Sequence, residues 1–365
     1  MNNIGLDMMH LNFSEMYVDS DIKKAVEQVL ENGRYIKGDN LRLFEQEFAE
    51  FCNTKYAVGV SSGTAAILLS LMSLGIKQGD EVIVPSHTFI ATASPIKFLG
   101  ATPVYVDIDP TTYTIDPSKI EQAITENTKA IIPVHLYGHP ADMDPIKELA
   151  KKHDLIVIED SCQAHAAEYK GQKTGSIGDL AVFSFFPSKN MTVAGDGGMV
   201  TTNNEETAQK ISMLRDHGRT DKYLHEMLGL NLRLSEIPAA VGRQQLKHLN
   251  EWTKSRRRAA AKYTQLLEGL VETPAEAEWA KHVYHLYVIQ TQDRDGLSKH
   301  LNEQGISTGI HYPVPVHKQP CMEAGNVLLP VTDVCVDKIL SLPMHPQLTD
   351  EQIEYVAEKI QEWVR

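Results

Sequence analysis

Lys189 stands in an otherwise uncharged run, Ser184-Phe185-Phe186-Pro187-Ser188-Lys189-Asn190, on the turn that leaves the hydrophobic segment 180–186. A lysine held on a loop by a rigid strand suits covalent chemistry, because desolvation lowers its pKa and frees the amine as a nucleophile. Most loop lysines are only solvated charges, so a second feature has to raise this one above them. Upstream, Leu155-Ile156-Val157-Ile158-Glu159-Asp160 is an apolar run ending in two carboxylates. Such a run reads as a strand buried on both faces, and acids at its carboxyl end fall where open α/β sheets bind ligands. An aspartate and a lysine from neighbouring strand ends form the pair that pyridoxal phosphate (PLP) requires. The amine condenses with the cofactor's aldehyde, and the carboxylate keeps the pyridine nitrogen protonated so that the ring accepts electrons.

Three further stretches fit that pair. Ser61-Ser62-Gly63-Thr64-Ala65-Ala66 follows a strand candidate and opens a helix, where backbone N–H groups and the helix dipole attract an anion. A plain serine N-cap is the common alternative. In Pro85-Ser86-His87-Thr88-Phe89, Phe89 can stack on a flat ring or fill a core. Gln163, three residues past Asp160, can reach a phenolic oxygen or serve a helix N-terminus. Asp196, in Gly195-Asp196-Gly197-Gly198, reads as part of a glycine turn that brings backbone close to the lysine loop. His311, His317 and His345 lack the spacing and acidic neighbours of a zinc motif, so no metal is expected.

These residues need a scaffold, and the pattern of the chain supplies one. Seven strand candidates, 56–60, 81–84, 103–106, 130–134, 155–158, 180–185 and 198–202, alternate with helical segments such as 65–74, 117–124 and 145–153. The alternation implies an α/β fold with a mostly parallel sheet covered by helices. Two helices are expected before it, over 17–32 and 40–51, separated by Gly33-Arg34-Tyr35-Ile36-Lys37-Gly38. A long amphipathic helix over 239–267 leads into a smaller α+β part, with strands expected near 285–290 and 307–310 and two helices. The expected division is a cofactor-binding large domain, 1–250, and a small C-terminal domain, 251–365.

The net charge of −13 argues against nucleic acid, which needs a cationic face. The longest basic cluster, Lys254 with Arg256-Arg257-Arg258, reads as the solvated side of a helix. Four cysteines, Cys52, Cys162, Cys321 and Cys335, have no paired spacing, so neither disulfides nor zinc are expected. The stretch 1–11 carries no signal-peptide pattern, and no run approaches the ~20 apolar residues of a membrane span. A cytoplasmic protein is expected.

Taken together, Ser62-Gly63-Thr64, Glu159-Asp160 with Gln163, Ser184 through Lys189, Gly229-Leu230-Asn231-Leu232-Arg233 and His311-Tyr312-Pro313 resemble the DegT family of sugar aminotransferases. The resemblance spans nearly the whole chain and implies the aspartate-aminotransferase fold, with a seven-stranded large domain and a smaller C-terminal α+β domain. It implies that Lys189 binds PLP covalently and Asp160 pairs with the pyridine nitrogen. Ser62, Gly63, Thr64, Ala65 and Ser184 would hold the phosphate, Gln163 the phenolic oxygen, and Phe89 would stack on the ring. It further implies a homodimer with composite sites, in which Asn231 reaches the partner's cofactor phosphate and Arg233, His311 and Tyr312 contact the substrate's nucleotide. Leu230 stands where the family often has an aromatic. Lys189 itself argues against the subset that has histidine there and performs dehydration.

The activity so implied is amination of a nucleotide-linked keto-hexose, UDP- or dTDP-linked and possibly a 3-keto sugar, with glutamate as amino donor. The alternatives are amination of a cyclitol ketone and a non-catalytic PLP-binding regulator. The second lacks a basic face or a spare domain for DNA.

Overall fold

The structure, a computed structural model, describes residues 17–364; the stretch 1–11 read for a signal peptide lies outside them. Its central sheet has seven strands: β1 (Tyr56–Val60), β2 (Glu81–Pro85), β3 (Thr102–Val106), β4 (Thr128–Ile131), β5 (Ile156–Asp160), β6 (Leu180–Ser184) and β7 (Gly198–Thr202). Their spatial order is β1-β7-β6-β5-β4-β2-β3. Only β7 runs antiparallel to its neighbours; the other pairings are parallel. The register sets Asp160 beside Val182, and brings Gly198 opposite both Val60 and Ser184. The carboxyl ends of β1, β5 and β6 therefore open onto one cleft.

Helices cover the sheet because their apolar residues recur on one face. α1 (Ser20–Asn32) and α2 (Asp39–Cys52) pack on a 32-residue helix, α7 (Glu236–Leu267), with α3 (Gly63–Ser73), α4 (Ser94–Phe98), α5 (Met143–His153) and α6 (Glu205–Leu214) between. α3 has buried residues all round, as a helix enclosed between sheet and other helices must. Beneath α2, Phe44, Phe48, Phe183 and Phe185 form a fully buried aromatic knot, with Phe48 5.0 Å from Phe183 and 5.5 Å from Phe185 between ring centroids. Truncating one of them to alanine costs about 3–5 kcal/mol.

α2 lacks a side-chain cap of its own. Glu236, in the first turn of α7, serves instead: its carboxylate accepts from the N–H groups of Gly38 (2.7 Å), Asn40 (2.9 Å) and Leu41 (3.1 Å). A carboxylate there satisfies orphan donors and meets the positive end of the helix dipole.

Past residue 250, α7 packs its later turns on α10 (Asp350–Val364), which also meets α8 (Arg294–Glu303); this part further holds α9 (Pro330–Val336) and a two-stranded antiparallel sheet, β8 (Tyr287–Gln290) with β9 (Ile339–Leu342). A hydrophobic cluster there includes Tyr263, Leu267, Tyr287, Leu297, Leu340 and Ile353.

Three expectations give way. The segment 117–124 forms two 3-10 turns, Pro117–Lys119 and Glu121–Ala123, because Ile124 is already extended at φ −79, ψ 131. The expected strand 307–310 is reduced to a single bridge between Gly309 and Ser341, and β9 is the partner of β8. Arg256 is not on a solvated face: it is 3% exposed, and its Nη1 donates to the carbonyls of Tyr284, His285 and Met344. The helical period explains it, since 256 shares the inward face with Thr253, Ala260 and Tyr263. No helix among the described residues is long and apolar enough to cross a membrane.

Candidate active site

Lys189 follows β6 on a tight turn closed by its own N–H, which donates to the Phe186 carbonyl at 2.8 Å. Burial pulls the Lys189 amine below its ordinary value, against the raising influence of the Cys162 thiol and the Asp160 carboxylate. The pair read from the sequence is thus within electrostatic reach, and the amine is biased toward the nucleophilic form.

Asp160 is buried at the end of β5 with both oxygens anchored. Oδ1 accepts from the Cys162 N–H (3.1 Å), and Oδ2 accepts from Thr92 Oγ1 (2.8 Å), itself 2.9 Å from Thr88 Oγ1. Two donors on two oxygens fix the carboxylate plane. Glu159 is turned to the opposite face, as alternation along a strand requires. Its oxygens accept from the N–H groups of Gly175 (3.0 Å), Ile177 (2.7 Å) and Gly178 (2.8 Å) and meet His135 Nε2 at 3.0 Å. His135 Nδ1 accepts from the Ala141 N–H, so Nε2 carries the proton and donates to Glu159. Glu159 is committed to the scaffold, which leaves Asp160 for the cleft.

The anion loop follows β1. Ser62 caps α3, its Oγ accepting from the Ala65 N–H at 3.1 Å, so the N-cap reading holds for that hydroxyl. Thr64 is exposed in the first turn. A Cβ on Gly63 would come within 2.8 Å of the Ser184 Cβ and 3.0 Å of Cys162 Sγ. One on Gly198 would lie 2.4 Å from the Ser62 carbonyl oxygen. The loop thus sits directly on the ends of β6 and β7, and only glycine permits the approach. Free helix N–H groups, an exposed threonine hydroxyl and Ser184 converge there, which fits a phosphate. With an amine and an anchored carboxylate alongside, the residues present suit PLP.

Phe89 is 51% exposed, its ring 5.6 Å from that of Tyr312, so it faces the cleft and is not a core aromatic. Gln163 caps no helix: its Oε1 accepts from the Tyr137 N–H (2.8 Å) and its Nε2 donates to the Tyr312 hydroxyl (3.0 Å). Tyr137, which the sequence did not single out, is a hub. Its hydroxyl lies 2.7 Å from His87 Nε2 and donates to the His311 carbonyl, tying the segment with His311 and Tyr312 to the sheet. Burial lowers His311 to about 4, with the charge of Lys189 adding to it, so the ring is neutral near pH 7. His311 Nδ1 pairs with Ser341 Oγ at 2.9 Å, and His317 Nδ1 with Ser86 Oγ at 2.6 Å.

The segment 229–233 runs past the carboxyl end of β1, on the outer edge of the sheet. The Ser61 N–H donates to the Leu232 carbonyl (2.9 Å) and Arg233 bridges to Val60, so the segment borders the edge strand β1. Asn231 is exposed, and the Arg233 guanidinium is held by Asp216. Thr88, Thr92, Tyr137 and Asp216 left no sequence signal, because each is defined by a partner distant in the chain or by a polar residue of common type.

An amine and an acid from adjacent strand ends, beside a helix-borne phosphate cradle, fit the class of PLP-dependent enzymes. The profile of the DegT/DnrJ/EryC1/StrS aminotransferase family matches residues 16–361, and the chain belongs to that family. It is 45% identical to the dTDP-3-amino-3,4,6-trideoxy-alpha-D-glucose transaminase of Streptomyces venezuelae, over 96% of this chain and 93% of that one. It is also 45% identical, over 97% and 98%, to a protein of Geobacillus stearothermophilus named a pleiotropic regulatory protein. The crystal structure of S. venezuelae DesV superposes with a TM-score of 0.94 at 44% identity, covering 99% and 98% of the two chains.

Proposed function

We propose that this enzyme aminates the ketone of a UDP- or dTDP-linked keto-hexose at C3, taking the amino group from glutamate, as a cytoplasmic homodimer. The observation that carries the reading is the Lys189–Asp160 pair at the ends of β6 and β5, set beside the Gly63 cradle. The similarity to a transaminase of a dTDP-linked 3-amino sugar supports the substrate class and the ring position. We divide the chain near residue 250 into a cofactor-binding part, 1–250, and a smaller part, 251–365.

PLP, when bound, supplies an aldehyde for the amine and a ring that withdraws electrons. Thr64, Ser184 and the N–H groups of residues 63 and 64 would hold its phosphate, the Ala65 N–H being taken by Ser62 Oγ. Phe89 would cover the ring, Gln163 would approach the phenolic oxygen, and Asp160 would hold a proton on the pyridine nitrogen. Lys189 Nζ takes the proton from the α-carbon of the amino donor, and in the second half-reaction returns one to the sugar carbon that bore the ketone. His311, Tyr312 and Arg233 orient the nucleotide sugar. The two half-reactions predict ping-pong kinetics. A panel of UDP- and dTDP-linked 3-keto and 4-keto hexoses, with a cyclitol ketone beside them and glutamate as donor, tests the substrate. Turnover of the cyclitol ketone alone would replace this reading.

The same proposal gives Asn231 and Arg233 to the partner's site. Their seat on the edge strand β1, with Asn231 exposed where a second chain can approach, supports it. Mixing Lys189→Ala protein with an Asn231→Ala, Arg233→Ala double mutant should then restore about a quarter of wild-type activity, since half the dimers are mixed and each has one intact site of two. Activity that stays at the level of the separate mutants, with exchange demonstrated, places each site within one subunit.

A further inference from the structure

Three cations converge on one carboxylate beside the edge strand β1. Asp216 is fully buried; Lys37 Nζ and Arg219 Nε (2.8 Å) reach its Oδ2, and Arg233 Nη1 reaches its Oδ1. One negative charge answers three positive ones, and the surplus is held close in a partly desolvated place. Like charges so gathered repel unless a second anion joins them. The exposures grade outward: the side chains of Arg233, Arg219 and Lys37 are 16%, 28% and 46% exposed, so the cluster opens to solvent through the lysine. Arg233 Nε is buried with no partner.

The backbone at the lysine is held locally. Lys37 adopts φ 53, a left-handed conformation that a side chain other than glycine adopts at some strain. Two contacts hold it so: Arg34 Nη2 donates to the Lys37 carbonyl at 2.8 Å, and Glu236 fixes Gly38 and the helix that follows. A half-exposed ammonium set beside a pair of guanidinium groups suits a ligand with several anionic oxygens.

We propose that Lys37, Arg219 and Arg233, oriented by Asp216, form a binding site for the diphosphate of a nucleoside diphosphate. The inference rests on the nucleotide-sugar reading above and goes beyond it by adding Lys37 and Arg219 and by naming the part of the substrate they hold. Asp216 keeps the three side chains in place, and the diphosphate supplies the missing negative charge.

Calorimetric titration of the cofactor-loaded protein with UDP, dTDP and inorganic pyrophosphate tests it. Lys37→Gln and Arg219→Gln should each weaken all three probes about tenfold, Lys37→Arg should recover most of the loss, and Lys24→Gln, on exposed α1, should bind like wild type. In turnover the KM for the keto-sugar nucleotide should rise more than kcat falls. Affinities within twofold of wild type in both glutamine variants would overturn the proposal. A second measurement needs no variant: pyrophosphate should slow acetylation of Lys37 in the wild-type protein, and unchanged labelling under saturating probe counts equally against the site. Failure of the broader reading looks different. If no keto-sugar nucleotide is aminated but the probes bind in a Lys37-dependent way, the function falls and the site stands; if amination proceeds with KM unmoved in both variants, the site falls and the function stands.

Discussion

In the cofactor cleft, charge is scarce and dry. One amine faces one carboxylate, and neighbouring histidines are held neutral: burial lowers His87 to about 4 and His165 to about 3. At the rim around Asp216, charge is crowded and wet, with three cations on one acid and the outermost half-exposed. Few, fixed charges at low dielectric direct where protons and electrons move. A surplus of cations, held by Asp216 and opening to solvent through Lys37, gathers an anion from solution but exerts little control over bond making. Reaction and recognition are thus separated by solvation as much as by distance. Substitutions in the first region should lower kcat, and those in the second should raise KM.

The hardest test of this division is Lys189→Ala. Transamination should vanish together with the absorbance that depends on the lysine, while PLP still binds noncovalently; turnover near the wild-type rate would remove Lys189 from the chemistry. Next come the two adjacent acids. Asp160→Asn should keep the fold and lose a factor of ~10³ or more in kcat, because an amide does not hold the pyridinium. Glu159→Gln should do the reverse: the folded enzyme turns over, but stability falls by about 3 kcal/mol in denaturant titrations, since four donors lose their anion. Equal kinetic losses in the two variants would erase the contrast between the faces of β5. Thr92→Val is milder. Removing the hydroxyl that anchors Asp160 Oδ2 should cost about tenfold in kcat and shift the pH titration of the bound cofactor's spectrum, with substrate KM little changed. A KM effect alone would mean that Thr92 only supports the fold.

The gentlest effect is graded. His87 and His311 are lowered to about 4 in the folded protein, so above about pH 6.5 both states are neutral there and burial has no penalty. As the pH falls from about 6.5 to about 4, the unfolded chain takes up protons that the folded chain refuses, and stability drops by up to roughly 1.4 kcal/mol per pH unit for each group. Thermal melts should therefore decline across that window, with cofactor absorbance lost in step. A flat melting temperature from pH 6.5 to 4 would mean that these rings do not stay neutral.

Much of this was legible in the sequence where the signal is local. The continuous apolar run before Glu159 and Asp160 gave the strand and its ligand end, and the serine and glycine before α3 gave the cradle. Which of the two acids faces the cleft was settled by Thr92, 68 residues from Asp160, and by the loop that encloses Glu159. Tyr137 reaches His311 across 174 residues, a pairing that no period or motif encodes. Arg256 was misread for the same reason, because a run of basic residues looks solvated until the carbonyls that surround one of them are known. At 117–124 the apolar spacing was helical, but Asp116 caps a short turn and the chain extends by Ile124 before a helix can propagate.

The reach of Glu236 has a consequence in time. The cap of α2 lies 195 to 198 residues downstream of the N–H groups that it holds. During synthesis, which releases the N-terminal end first, α2 and the loop that bears Lys37 emerge long before their anchor exists. That stretch of chain waits, unanchored, while most of the sheet is made. The arrival of α7 then fastens the loop and delivers Arg233, three residues ahead of Glu236, in the same event, so a truncated product that lacks this helix would expose an uncapped helix end and never assemble the anion site.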